Sequence, residues 1–491
     1  MAARGLRRRE TRFCQLSTGV NRSTRGARWA FQPSDFKILS VMSYQPPKHI
    51  LEVLQKIEYD SALPDGDPRY VDTREARGSE KTFVRLARKF GWDPATDAFF
   101  APHTKHVLFF GHIGSGKTTE LRRYAGALNE SKRFYVVEVD VLAKLDRNNL
   151  QYTEALMAMA QTLLERLNAD GFALAEDVLS PIRDWFVTSI QTRATTRELS
   201  AELKAGIQSG GGIPGLVKLF AGFTAAFKTG SSQKSEWRQE IRNGFTALAA
   251  AFNDLIRTAE IELAGAGRAE RVLFLLDGTD KMRSEDTQQF FVQDAEQLLA
   301  VQTLVIYTAP LHLKYDGRLG GKLDADMVLP MIKLQESDGT PFPAGLNALH
   351  DLLLLRADIS LFASDAQVKR LVEYSGGHPR ELLRLLRTCC EVADGCIDAV
   401  VVQRAIDSLA ADYRYFLKPS DYTLLKAIDA QPAHGGNDEQ AQELLHKLAL
   451  LQYNDGTWRR SHPVVRTLEG YVLAAVPQPA APPDPAAAAP A

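Results

Sequence analysis

Two clusters of residues in the 491-residue chain have types and spacings suited to chemistry on a phosphate. The first is Gly111-His-Ile-Gly114-Ser115-Gly116-Lys117-Thr118-Thr119, which fits the phosphate-loop pattern G-x-x-x-x-G-K-[ST]. The glycines allow a tight turn that points successive backbone N–H groups inward at phosphate oxygens. Lys117 supplies a mobile cation for the β- and γ-phosphates, and the Thr118 hydroxyl is a magnesium ligand. The second cluster is Arg271-Val-Leu-Phe-Leu-Leu-Asp277-Gly-Thr-Asp280-Lys281. An acid at the C-terminal tip of a buried strand sits where ligands bind in parallel sheets, so Asp277 is the expected partner of Mg²⁺. Asp280 is placed to orient or deprotonate an attacking water. The cofactors this pattern calls for are ATP or ADP and Mg²⁺.

Elements must hold these residues in place, and the sequence supplies them. Val107 to Phe110 is a short apolar run before the loop, and Leu121, Tyr124, Ala125 and Leu128 recur after it at helical spacing. Phe134–Val141, Leu304–Thr308 and Met327–Leu334 read as further buried strands. Thr308 ends the second of these and is a candidate sensor of the γ-phosphate. Gln151–Leu167 reads as an amphipathic helix. Residues 172–265 read as a helical insertion with a glycine cluster (Gly206, Gly210 to Gly212, Gly215), an apolar run from Leu216 to Phe227, a polar break from Gly230, and a long helix from Glu236 to Ile256. The cluster is either a hinge, an amphipathic contact segment or a plain mobile loop.

Upstream, His49–Ile57 and Ser79–Phe90 carry helical pattern. Tyr70 and Arg77, between them, either lie over a bound base or belong to a surface turn. Residues 1–47 are expected to be disordered and basic, with Arg4, Arg7, Arg8, Arg9, Arg12, Arg22, Arg25 and Arg28 against Glu10 and Asp35. They read as a transit peptide, a basic arm or a mis-assigned start before Met42. The ATPase core is then 48–335.

Composition narrows the rest. A net charge of -1 gives no global pull toward nucleic acid. The four cysteines (Cys14, Cys389, Cys390, Cys396) show no metal spacing and read as reduced thiols of a cytoplasmic protein. Leu216–Phe227 falls short of the roughly 20 apolar residues of a membrane span and contains Lys218, so no stable span is expected.

After the core, Lys314, Arg318 and Lys322 sit in a glycine-containing loop. Arg318 is the preferred candidate for an arginine finger reaching a neighbouring subunit. Residues 336–411 read as a helical lid. Within it, Gly376 and Gly377 end one helix, while Pro379 and Arg380 open the next toward the nucleotide. Residues 412–473 read as a winged helix: a helix capped by Ser420, a second over Asp438–Leu448, and a hairpin turning at Asn454-Asp455-Gly456. The Ala/Pro-rich tail, 474–491, is expected to be disordered.

This order of parts resembles the STAND class of signal-transduction ATPases and, more broadly, AAA+ ATPases, over roughly residues 70 to 473. Leu275-Leu-Asp-Gly-Thr-Asp-Lys is similar to the acid motif of NACHT-type members, with Lys281 where they carry an acid. Gly377-His-Pro379 resembles their G-x-P motif, whose proline lies near adenine. Ser461-His462-Pro463 resembles their M-H-D motif, whose histidine contacts the β-phosphate of ADP, with Pro463 in place of the acid. The resemblance implies an α/β P-loop fold with helical lid and winged helix. It also implies a slow ATPase switch that forms homo-oligomers with ATP and signals through separate effector or sensor proteins, with bacterial antiphage defence among the family's roles. The alternative is an AAA+ initiator, loader or transposition regulator that binds DNA through its winged helix. Against that, the second helix of the final unit holds Asp438, Glu439 and Glu443 beside Lys447, and the wing offers Arg459 and Arg460.

Overall fold

The computed structural model describes residues 44–145, 150–191, 212–228, 234–434 and 438–475. The basic N-terminal arginines, Cys14, the glycines at 206, 210 and 211, the break at Gly230 and the C-terminal tail lie outside the described residues.

A five-stranded parallel sheet carries the site. In chain order its strands are β1 (Lys105–Gly111), β2 (Phe134–Asp140), β3 (Arg271–Asp277), β4 (Leu304–Pro310) and β5 (Ala325–Val328). They lie side by side as β2-β3-β4-β1-β5. The apolar runs are continuous because both faces of the sheet are covered. Val107 and Phe109 of β1 face one core with Leu273, Leu275, Leu304 and Ile306, while Leu108 and Phe110 face the other with Phe274, Leu276, Val305 and Tyr307. Helices α1 (Ile50–Lys56), α2 (Arg74–Arg77) and α3 (Thr82–Lys89) precede β1. Helix α4 (Lys117–Glu130) follows it and buries Leu121, Tyr124, Ala125 and Leu128, the stripe the periodicity predicts.

The opposite face is covered by α5 (Val141–Lys144), α6 (Tyr152–Ala169), α7 (Glu176–Gln191), α8 (Gly212–Lys228), α9 (Lys234–Asn243) and α10 (Phe245–Gly265). Two expectations change here. The first half of helix α6 is not amphipathic, since every residue from Tyr152 to Gln161 is buried between the sheet and neighbouring helices, while its second half buries Leu163, Leu164 and Leu167 and leaves Asn168 and Ala169 exposed. The long helix expected from Glu236 to Ile256 is instead two helices parted at Gly244. A Cβ there would meet the Trp185 ring at 2.9 Å, so that ring sits in the space a helical side chain would need. Among the described residues no helix is long and apolar enough to cross a membrane.

The strand expected over Met327–Leu334 stops at Val328, because the bonds that follow go to separate segments and no longer run along one neighbouring strand. Leu329 N–H still donates to Phe110 O at 2.8 Å, but Met331 N–H reaches Gln452 O at 3.4 Å and Lys333 N–H reaches Ala76 O at 2.9 Å. This 329–333 connector is gripped by glycines: a Cβ on Gly345 would lie 1.6 Å from Lys333 O, and one on Gly377 would lie 1.9 Å from Ile332 O.

Four helices follow: α11 (Pro343–Leu354), α12 (Asp365–Tyr374), α13 (Pro379–Val392) and α14 (Ala399–Phe416). Gly376 and Gly377 take φ of +63° and +83°, the left-handed conformation that closes a helix, and Pro379 occupies the first turn of α13. The last unit has α15 (Pro419–Ala430), α16 (Glu439–His446), an antiparallel hairpin of β6 (Leu450–Tyr453) and β7 (Trp458–Ser461), and α17 (Glu469–Leu473). Two helices and a β-hairpin form the expected winged-helix arrangement. The first of them starts two residues earlier than a Ser420 cap implies. Pro419 is its first residue, and the Asp421 carboxylate accepts the Lys418 N–H at 2.8 Å.

Candidate nucleotide site

The site grows from the carboxyl ends of β1 and β3. The loop after β1 turns through Gly114 (φ +84°) and Gly116 (φ +96°), and Gly116 is the residue before α4. Only residues without a Cβ adopt these values freely. A glycine loop that runs into the N-terminus of α4 suits an anion.

Lys117 and Thr118 each pair with an acid of the other cluster. Lys117 Nζ lies 2.7 Å from Asp280 Oδ2, both side chains being at most 4% exposed. Lys117 also donates to the carbonyls of Gly111 and His112, both at 2.9 Å. Thr118 Oγ1 donates to Asp277 Oδ1 at 2.9 Å. The two carboxyls differ in their hold on protons. Burial pushes Asp277 up, and the neighbouring negative Asp280 adds to this. Burial also disfavours charge on Asp280, but Lys117 more than offsets that and holds the carboxyl below the usual range.

Both pairs open into a cleft of about 660 Å³. Its floor includes Gly114, Gly116, Lys117, Thr118, Thr119, Asp277 and Asp280, and its far wall is the lid, with Leu352, Arg356, Pro379, Arg380 and Leu383. The cleft mouth is strapped by residues 57–63. Leu63 N–H donates to Thr119 Oγ1 at 3.3 Å, Arg122 reaches Ala62 O at 3.1 Å, and Arg380 Nε stands 3.1 Å from Asp60 without hydrogen-bond geometry. Burial and the neighbouring Arg69 push Arg356 down to about 10.

The donor set fits a magnesium nucleotide. Thr118 and Asp277 offer adjacent hard oxygens of the kind magnesium takes, and Asp277 is a carboxylate that burial leaves short of positive charge. Bound there, magnesium would neutralise charge on the β- and γ-phosphates.

The other expected site residues are placed differently. Thr308 is fully buried behind the tip of β3. Its Oγ1 accepts the Gly278 N–H at 3.0 Å, so it braces the turn between Asp277 and Asp280 and does not line the cleft. Ser115 is buried too, and its hydroxyl is absent from the cleft wall. Arg318 lies on the exposed turn after β4, its guanidinium 2.7 Å from Asp316, away from its own cleft. His462 does not reach the loop. Its ring stacks on Tyr413 with centroids 5.1 Å apart, and its Nδ1 accepts the Val464 N–H at 3.3 Å. Burial, with Arg466 nearby, pushes it down to about 3.

Other histidines touch the loop instead. His378, at the start of α13, meets the Ile113 carbonyl with Nε2 at 2.9 Å, and its Nδ1 accepts the Glu381 N–H at 3.2 Å. A Cβ on Gly114 would meet its ring and Arg380, each at 2.8 Å. His112, inside the loop motif, accepts the backbone N–H of Gln452 in β6 through Nε2 at 3.0 Å. The only sequence hint of these roles was position, one histidine being an unassigned x of the loop pattern and the other the x of Gly-x-Pro. Tyr70 lines the cleft, its hydroxyl donating to Glu120 at 3.1 Å. Arg77 is not a surface residue: it is buried against the loop, and it too lines the cleft.

The wing is packed inward. Arg459 is 4% exposed, donates to Gln452 Oε1 at 3.2 Å, and lies over the Tyr315 ring at 4.4 Å.

No family model and no curated protein matches the sequence. Among solved structures, the chain is similar to Cdc6p from Pyrobaculum aerophilum, at 12% identity, with 84% of this chain and 96% of that one covered and a TM-score of 0.34. It is also similar to a RuvB variant from Thermotoga maritima (12% identity, 83% and 96% covered, TM-score 0.31). A third is the Aeropyrum pernix ORC1 protein in complex with DNA (15% identity, 81% and 80% covered, TM-score 0.33). Likeness at this level carries no weight for function, which rests on the cleft itself. Its loop, acid-tipped strand and sheet order make this a P-loop nucleoside-triphosphatase fold.

Proposed function

We propose that the chain is an ATP-binding, slowly hydrolysing molecular switch of the STAND type, which reports the state of its nucleotide through the lid and the C-terminal hairpin. One observation carries the reading. The loop that would hold the phosphates is bonded at once to the acids of β3, to His378 of the lid and to Gln452 of β6. A change of phosphate at this loop therefore acts on the two contacts, through His378 and Gln452, that tie the C-terminal half to the core.

In this reading Lys117 holds the β- and γ-phosphates, and Thr118 with Asp277 holds magnesium. Asp280 keeps Lys117 in place and orients water. Its carboxyl, held below the ordinary range, is a weak general base, which accords with slow turnover. Pro379, Arg380 and the apolar lid residues close over the base. Arg318, exposed and outside its own cleft, is proposed as a finger acting on a neighbouring copy in an ATP-bound homo-oligomer. Input and output belong to separate sensor or effector proteins. The burial of Arg459 removes one of the two wing cations on which a DNA-binding reading depends.

The test is the oligomeric state and turnover with ATP, a non-hydrolysable analogue and ADP, for wild type and for Lys117→Ala and Asp277→Ala. A nucleotide-dependent assembly lost in both variants is expected. A monomer indifferent to nucleotide, or variants that match wild type in turnover, would overturn the proposal.

A further inference from the structure

We infer that Arg77 is a positioning residue for the phosphate loop: its guanidinium sets the Ser115–Gly116 peptide and ties it to the point where the C-terminal half leaves the sheet. The inference rests on the nucleotide reading above and deepens it.

Three bonds define the arrangement. Arg77 Nη2 donates to Ser115 O at 2.7 Å, Nη1 to Pro330 O at 2.5 Å, and Nε to Thr73 Oγ1 at 2.8 Å. The side chain is 2% exposed. A buried arginine is ordinarily matched to a carboxylate, whereas the hydrogen bonds described here all end on neutral oxygens. Burial accordingly lowers its hold on the proton, with Glu120 the largest opposing influence. So costly a placement calls for a function beyond packing.

The function follows from peptide geometry. In a trans peptide the C=O of one residue and the N–H of the next point in opposite directions. Anchoring the Ser115 carbonyl on the guanidinium therefore fixes the direction of the Gly116 N–H, beside the cleft that Arg77 and Gly116 both line. Gly116 (φ +96°) has no Cβ to hold that peptide by sterics, so an outside anchor is needed. A Cβ at Gly116 would lie 3.4 Å from Arg77 Nη2, which shows how closely the guanidinium sits beneath the loop.

The second leg reaches further. Pro330 is followed by Met331, whose N–H donates to Gln452 O at 3.4 Å, and Gln452 N–H is in turn held by His112 of the loop. Arg77 thus closes a ring from the loop through the connector and the hairpin back to the loop. The planar fork of arginine spans Ser115 O and Pro330 O together, which the single ammonium of lysine does not reproduce.

The experiment measures ATP and adenosine affinity by calorimetry for wild type, Arg77→Lys and Thr73→Val, with thermal melts in the absence of nucleotide. Arg77→Lys is expected to weaken ATP binding by about tenfold to a hundredfold, the loss of one or two charge-assisted hydrogen bonds. Adenosine, which lacks phosphates, should bind within about twofold of wild type, on the expectation that its contacts are untouched. Thr73→Val removes only the Nε acceptor and leaves the arginine in place. It should show the same selective loss on a smaller scale, and it carries the test if Arg77→Lys does not fold. Parallel losses for ATP and adenosine, or folded variants with wild-type ATP affinity, would overturn the inference. A wild-type protein that binds neither compound would instead overturn the nucleotide reading itself.

Discussion

His112 Nε2 accepts the backbone N–H of Gln452 at 3.0 Å, so a residue of the phosphate loop is hydrogen-bonded to the wing of a unit more than three hundred residues away in sequence. The contact is buried, with His112 only 2% exposed. In the proposed switch it is a direct link between the phosphate loop and the C-terminal hairpin.

If this contact holds the hairpin down, His112→Ala should release it. Amide hydrogen exchange over residues 450–453 should speed up while the sheet strands stay protected. A buried N–H left without its acceptor costs about 1–3 kcal/mol, or roughly a tenfold to hundredfold rise in local opening. Unchanged exchange in the hairpin would show that the contact holds nothing.

The Lys117–Asp280 pair offers a stability test independent of turnover. Both side chains are almost fully buried, so Asp280→Asn leaves an ammonium without its counter-ion. Breaking such a pair costs about 3–5 kcal/mol. The nucleotide-free protein should therefore melt at a clearly lower temperature, while ATP should restore part of the difference by giving Lys117 an anionic partner.

Acid should destabilise the protein. Burial pushes His112 down to about 3, with Lys117 adding to the effect, and His462 down to about 3, with Arg466 adding. Burial holds His378 well below its ordinary value, with His112 and Arg380 contributing. All three stay neutral in the fold but take up protons when unfolded below about pH 6.5. Stability is then fully present above that pH and falls on acidification toward pH 3, with a limiting slope of about 1.4 kcal/mol per pH unit for each histidine. Denaturant unfolding between pH 7.5 and 5 should show the midpoint falling, and an invariant midpoint would contradict this account.

Gly345→Ala tests the connector. Gly345 needs no special backbone conformation, yet an added Cβ would sit 1.6 Å from Lys333 O. Forcing a methyl into packed structure costs roughly 1–3 kcal/mol. Melting should fall accordingly, whereas Gly395→Ala tests the other limit, since its φ of +88° strains a side chain even though open space surrounds it.

The sequence alone determined the parts that depend on neighbours along the chain. A loop pattern, apolar runs of strand length and helical spacing are local, so β1, α4, β3 and the assignment of Thr118 and Asp277 to one magnesium site were legible, whereas the Lys117–Asp280 pair was not. Gly377 and Pro379 ended and began helices where glycine and proline physics requires. The tertiary structure decided what depends on long-range burial. It buried the first half of α6 on all sides, split a long helix at Gly244 against Trp185, and sent Arg459 inward onto Tyr315. It also moved His462 away from the loop and gave that contact to His112 and His378. Residue type fixes which groups can donate, accept or carry charge, and spacing fixes which of them share a turn or a strand. Which histidine meets the phosphate loop is set by how distant segments pack, and local spacing carries no record of that packing.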